Sequence, residues 1–241
     1  MHSLPAASGK TAIIKTFFND QWALYQKVMR NDYMFHRESY GKLHEYLKKK
    51  FTKPFSFLDL GCGDAEYSSR ALSGTKVARY EAIDLADTAL GVAKKNMARV
   101  ECSQSFAQGN FFEALKTRTE KADLIFIGFS LHHLLHDEKG RFLKRCHDLI
   151  VPGGAFVCLE PFTREGETRD QYLQRWWTTI HSQWKELTPH EFDLVHEHVF
   201  SSDHPESIDA LRAFGRAAGF ARVDQLWRDQ QEFYALLSFE T

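Results

Sequence analysis

FLDLGCGDAEYS, residues 57–68, runs from apolar residues into an acid, then two glycines one residue apart, then a second acid. An apolar run bounded by glycine reads as a buried strand. Asp59 closes that strand, Gly61 and Gly63 form the turn, and a helix begins near residue 64. Glycine lets a backbone turn sharply and approach a ligand closely, because no Cβ intervenes. A strand that turns directly into a helix also gathers backbone N–H groups at its carboxyl end, where open parallel sheets bind ligands.

Working outward, strand-like runs recur at FSFLDL (55–60), RYEAIDL (79–85), ADLIFIGF (122–129), GAFVCLE (154–160), ARVDQLW (221–227) and EFYALLSF (232–239), with a further one near Phe106. Helix-like stretches at 64–73, 87–98 and 134–150 alternate with them, and another follows at 206–218, closed by Gly219. This alternation predicts an α/β fold with a doubly wound, mostly parallel sheet. Only RDQQ separates the last two runs, which is too short for a helical crossover, so they form an antiparallel hairpin. Before the first strand, Phe17, Phe18, Trp22, Tyr25, Val28 and Met29, then Tyr40, Leu43 and Leu47, fall at helical spacing and predict two amphipathic helices within 11–50. Residues 1–10 read as a mobile leader. Residues 161–204 form an excursion between strands and are expected to be a helical cap on a single domain spanning 11–241.

The chain has 241 residues, enough for one sizeable core, and a net charge of -1 with acids and bases interspersed. No field is present that would gather a polyanion, which argues against nucleic acid as a partner. Four cysteines lie far apart without a CxxC pair, as expected of reduced thiols in the cytoplasm. No run approaches the roughly 20 apolar residues of a membrane span. Histidines and aromatic residues concentrate in 17–46 and 172–204, outside the strands.

Asp84 ends the second strand, about 20 residues past the glycine turn, where an acid accepts hydrogen bonds from ribose hydroxyls. Asp59 and Asp64 flank the glycines and would repel a pyrophosphate, so the loop suits a cationic ligand better than a dinucleotide. Here the sequence resembles the class I S-adenosylmethionine-dependent methyltransferases of the small-molecule type, over about 57–160. DLGCGDA matches the family's first motif through Asp59, Gly61, Cys62 and Gly63, with Ala65 where a third glycine is usual. The resemblance implies a seven-stranded sheet whose last strand is antiparallel, and S-adenosylmethionine as cofactor, leaving S-adenosylhomocysteine. It implies a ribose contact at Asp84, with Leu85 beside the adenine. In GNFF it puts Asn110, in place of the usual aspartate, and Phe111 near the adenine, and it places Gly128 of GFSLHHL beside the cofactor.

The same resemblance puts His133 near the transferred methyl group, as a base or an acceptor-orienting residue. Arg37 of the N-terminal YMFHRESY is a candidate for the cofactor's carboxylate. His132, His133 and His136 invite a metal reading, but no acid is placed with them in sequence, and no metal is assigned. In the excursion, Trp176, Trp177, Trp184, His181, His196 and His198 lie near acids and could hold an aromatic or cationic small-molecule acceptor. Leu173, Trp177, Ile180 and Trp184 fall at helical spacing, which equally describes core packing. Two competing readings remain at this point, a non-catalytic module that keeps the fold and a dinucleotide-dependent oxidoreductase.

Overall fold

The computed structural model describes residues 22–241; the expected leader and the helical positions Phe17 and Phe18 lie outside them. Helices α1 (Trp22–Arg30) and α2 (His36–Lys50) come first. Then follow β1 (Phe55–Leu60), α3 (Glu66–Leu72), β2 (Val77–Asp84), α4 (Asp87–Met97), β3 (Ser103–Gln108), α5 (Phe111–Thr117), β4 (Ala122–Gly128), a 3-10 turn (Leu131–His133), α6 (His136–Asp148) and β5 (Ile150–Thr163). Two helices, α7 (Arg169–Gln183) and α8 (Pro189–Ser202), intervene before the short β6 (Glu206–Ser207), α9 (Ile208–Ala218), β7 (Arg222–Arg228) and β8 (Tyr234–Glu240).

The strands lie in the order β3-β2-β1-β4-β5-β8-β7, with β6 paired to β5. Every pairing is parallel except those of β8 with β5 and β7, so the last strand alone runs against the rest. This is the doubly wound, mostly parallel sheet with a terminal antiparallel hairpin that the strand pattern predicts, with the antiparallel last strand that the methyltransferase resemblance implies. Within the central strands, side chains divide by parity. Phe57, Leu124, Phe126, Val157 and Leu159 enter one core, shared with α1, α2 and the inserted helices. Leu58, Leu60, Ile125, Ile127, Phe156 and Cys158 enter the other, beneath α6 and α9. A strand buried on both faces must be apolar at successive positions, which is why FSFLDL reads as a continuous run rather than an alternating one.

Two sequence-derived boundaries shift. β5 extends three residues past Glu160 to Thr163, so the start of the 161–204 excursion still belongs to the sheet, and β6 pairs with that extension through Phe162 and Thr163. A two-residue strand carries no periodicity, so the sequence pattern predicts the start of a helix there. The β7–β8 turn is organised by buried Asp229, whose carboxylate accepts hydrogen bonds from the backbone N–H groups of Gln231, Phe233 and Tyr234. No helix among the described residues is long and apolar enough to cross a membrane.

Candidate active site

The sheet order reverses between β1 and β4, so the connections leaving their carboxyl ends run in opposite directions and leave a crevice above them. The glycine turn occupies it. Gly61 (φ +67°) and Gly63 (φ +54°) take left-handed conformations, and so does Ala65 at φ +52°, where glycine would be the unstrained choice. Asp84 pins the turn from the neighbouring strand. Its carboxylate accepts from the Gly63 N–H at 2.8 Å and from the Ala86 N–H at 2.8 Å, while the N–H groups of Gly61 and Cys62 donate to the Ile83 carbonyl. Burial raises the Asp84 carboxyl above its ordinary range, against those two hydrogen bonds.

Above this turn lies a cavity of about 160 Å³, against about 10–15 Å³ for one trapped water by the same measure. The space suits an organic ligand. Gly61, Gly63 and Asp84 line one end, and Gly128, Phe129 and Ser130 follow from β4. Leu24, Tyr25 and Val28 of α1 and Trp176, Trp184 and Val199 of the inserted helices supply much of the remaining wall. The Tyr25 hydroxyl stands 3.4 Å from where a Gly63 Cβ would lie, and the Tyr40 hydroxyl 2.7 Å from a Gly128 Cβ.

At the far end, the 3-10 turn holds two histidines over a buried carboxylate. Glu160 Oε1 accepts from the N–H groups of Ser130 and Leu131, and Oε2 from the His132 N–H and from His132 Nδ1 at 2.6 Å. His132 Nε2 then faces Asp203, 3.6 Å from Oδ1, and His133 Nδ1 lies 3.4 Å from the same oxygen. His198 Nε2 is 3.9 Å from it. Burial lowers the affinity of His132 for a proton, but the carboxylates of Asp203 and Glu160 outweigh it and raise the pKa. Burial, with the charge of His132 added, lowers His198 to about 3, so its imidazole is neutral.

Of the residues singled out in sequence, Gly61, Gly63, Asp84, Gly128 and His133 line this one cavity. Asp59, Cys62, Leu85, Asn110, Phe111 and Arg37 do not. Asp59 is buried beside Tyr80, whose hydroxyl donates to it at 2.8 Å, and burial raises its pKa to about 6. Asn110 caps α5, its Oδ1 accepting from the N–H groups of Phe112 and Glu113. Arg37 is exposed and donates to the Arg30 carbonyl. His136 also points away, toward Glu206 at 3.0 Å, while Asp203 supplies the acid that the histidine spacing did not reveal. In α7 it is Trp176 that lines the cavity and donates to the Tyr234 hydroxyl at 2.6 Å, whereas Trp177 packs against Phe192, His196 and Phe200.

Residues 57–154 match the family described as methyltransferase domain. No curated protein matches the sequence. Among solved structures, magnesium protoporphyrin IX methyltransferase from Synechocystis PCC 6803 with bound S-adenosylhomocysteine superposes with a TM-score of 0.66 at 13% identity, over 95% of this chain and 99% of that one. The plantazolicin methyltransferase BpumL, also in complex with S-adenosylhomocysteine, gives 0.67 at 13% identity, over 97% and 95%. An O-methyltransferase family protein from Burkholderia thailandensis gives 0.61 at 17% identity, and this chain covers 58% of its length. The resemblance read from the glycine turn is thus borne out at the level of fold: residues 57–154 match a methyltransferase domain, and the chain shares the fold of the S-adenosylmethionine-dependent methyltransferases it superposes on.

Proposed function

We propose that this protein transfers the methyl group of S-adenosylmethionine to a small-molecule acceptor enclosed between α1 and the α7–α8 cap. The observation that carries the reading is a single cavity joining the Gly61–Gly63 turn and Asp84 to the His132, His133 and Asp203 cluster. The residues present fit the cofactor. Gly61 and Gly63 line the cavity beside Asp84, and an ionised carboxylate has about four lone-pair sites, so Asp84 can hold the turn and still accept from ribose hydroxyls. When bound, the cofactor supplies a methyl group on a positively charged sulfur. The related structures that hold S-adenosylhomocysteine support this choice.

The protein's own work is to align the acceptor and exclude water. The aromatic wall of Phe129, Trp176, Trp184 and Tyr234 favours a flat, largely apolar acceptor whose nucleophilic atom faces the histidines. His133 takes the acceptor's proton where one must leave, and Asp203 stabilises the imidazolium that forms. The four cysteines form no disulfide, which supports a reducing compartment, and we place the protein in the cytoplasm.

Calorimetry tests the reading directly. S-Adenosylhomocysteine should bind and NAD should not. Asp84→Asn keeps a hydrogen-bond acceptor for the turn, lacks the charge, and should weaken S-adenosylhomocysteine by about tenfold or more. Heat with NAD alone would overturn the proposal, and cofactor binding without methyl transfer to any acceptor in a labelled-donor screen would leave a binding module instead.

A further inference from the structure

The histidine end of the cavity holds more ligating groups than a proton transfer needs. Nitrogens from His132, His133 and His198 converge on one oxygen of Asp203, at 3.6, 3.4 and 3.9 Å. Those separations exceed the 2.7–3.2 Å of N–H···O hydrogen bonds. The first two lie near the distance between neighbouring ligands on a four-coordinate ion, about 3.3 Å when each bond to the metal is about 2.0–2.1 Å, whereas His198 stands farther off. Among the described residues, His132, His133 and Asp203 form a set whose donor atoms all lie within 4.8 Å of one another, and all three are buried.

The surroundings are arranged as a metal site's are. Ligating histidines commonly donate their second ring N–H to a carboxylate, which fixes the tautomer and directs the lone pair at the ion. Glu160 accepts from His132 Nδ1 at 2.6 Å, which leaves Nε2 as the nitrogen facing Asp203. Glu160 is itself held by three consecutive backbone N–H groups, so its carboxylate stays behind the histidine rather than turning toward the cavity. All three ligands line the same cavity as Asp84, so a fourth coordination position opens toward the space assigned to the acceptor.

We propose that His132 Nε2, His133 Nδ1 and Asp203 Oδ1 bind a divalent first-row metal ion, with zinc the first candidate for a histidine and carboxylate set, and that the ion orients a methyl acceptor through a chelating oxygen. The acceptor half rests on the function proposed above; the metal half stands on the geometry alone. With the ion bound, His133 acts as a ligand. Coordination lowers the pKa of the acceptor's hydroxyl, and its proton leaves to water. The oxygen lone pair then forms the new bond to the methyl carbon while the carbon–sulfur bond breaks and its electron pair stays on sulfur.

The test uses the full chain, stripped with chelator and titrated with Co²⁺ under visible spectroscopy and with Zn²⁺ by calorimetry, each beside an S-adenosylhomocysteine titration. The expected result is one ion per chain, with the intense visible bands of four-coordinate cobalt. Binding should disappear in His132→Ala/Asp203→Asn and weaken about 10- to 100-fold in Glu160→Gln, a range typical of lost outer-shell partners. Glu160→Gln guards against a double variant that fails to fold, and circular dichroism checks both. The sequence has twelve histidines, so equal ion binding by wild type and the double variant would assign the ion elsewhere and overturn the inference. No ion uptake by protein that binds S-adenosylhomocysteine would overturn the metal site alone, whereas failure to bind S-adenosylhomocysteine would strike the proposed function.

Discussion

Gly61 is glycine for two separable reasons. Its φ of +67° is one, and the other is that a Cβ there would come within 2.9 Å of Ser130 Cβ. The conformation alone costs an alanine about 1–2 kcal/mol. Gly61→Ala should therefore lower the unfolding midpoint in urea and weaken S-adenosylhomocysteine binding, and adding Ser130→Gly should recover part of both by restoring the space. Full recovery would show that the backbone angle is not limiting, and no recovery would dismiss the Ser130 contact. Asp59 offers a second prediction. Its folded pKa of about 6 lies above the unfolded value near 3.9, so the folded state holds the proton more tightly and stability falls as pH rises through the interval between them. Relative to Asp59→Asn, the wild type should lose roughly 2 kcal/mol between about pH 4 and pH 6, measured by urea unfolding. A constant difference between the two proteins would mean that Asp59 is ionised throughout. The glycine turn and the place of Asp84 beside it were legible because both follow from spacing along the chain. Asp59 and Asn110 were harder, because what occupies them, the Tyr80 hydroxyl and the first N–H groups of α5, is set by folding.

At the scale of elements, α2 is docked through a residue that should make it sensitive to acid. His36 opens the helix, is 2% exposed, and lies against the rings of Tyr67, Phe129 and Tyr40. Burial lowers its pKa to about 3. The unfolded chain, with an ordinary value near 6.5, binds the proton first, so stability is complete above about pH 6.5 and is lost as pH falls toward 3. His36→Phe keeps an aromatic ring and removes the titration. Between about pH 5 and pH 6.5, the wild type should lose roughly 1.4 kcal/mol per pH unit more than the variant; parallel curves would locate the acid sensitivity in another group. The strands and their order of appearance were readable because each buried run repeats one pattern, and the short RDQQ connection dictated the hairpin. What could not be read was phase within the cap. A helix turns about 100° per residue, so choosing between Trp176 and Trp177 as the cavity residue requires knowing which side of α7 meets the sheet.

The described residues of the two segments richest in histidine and aromatic side chains close over the same cavity from opposite directions. Leu24, Tyr25, Val28, Met34 and His36 come from one, and Tyr172, Trp176, Trp184 and His198 are among those from the other. They also hold each other. Tyr33 stacks on Trp184 with ring centroids 5.0 Å apart and planes 5° from parallel, and its hydroxyl accepts from the Glu186 N–H at 3.0 Å. Lys27 and Glu191 add an ion pair at 2.7 Å, but both side chains remain partly exposed, so the pair contributes about 1 kcal/mol at most. The stacked rings contribute about 0.5–1.5 kcal/mol beyond their buried area, and Trp184 is part of the wall itself. Closure should therefore depend more on the rings than on the charges. Tyr33→Ala and Trp184→Ala should each weaken S-adenosylhomocysteine binding about three- to tenfold, and Lys27→Ala by less. Because the two aromatic residues act through one contact, the double variant should be weaker than wild type by less than the product of the single effects, a coupling of about 1 kcal/mol in a double-mutant cycle. Strict additivity, measured by calorimetry on folded variants, would mean that α1 and the cap line the cavity independently and do not close it together.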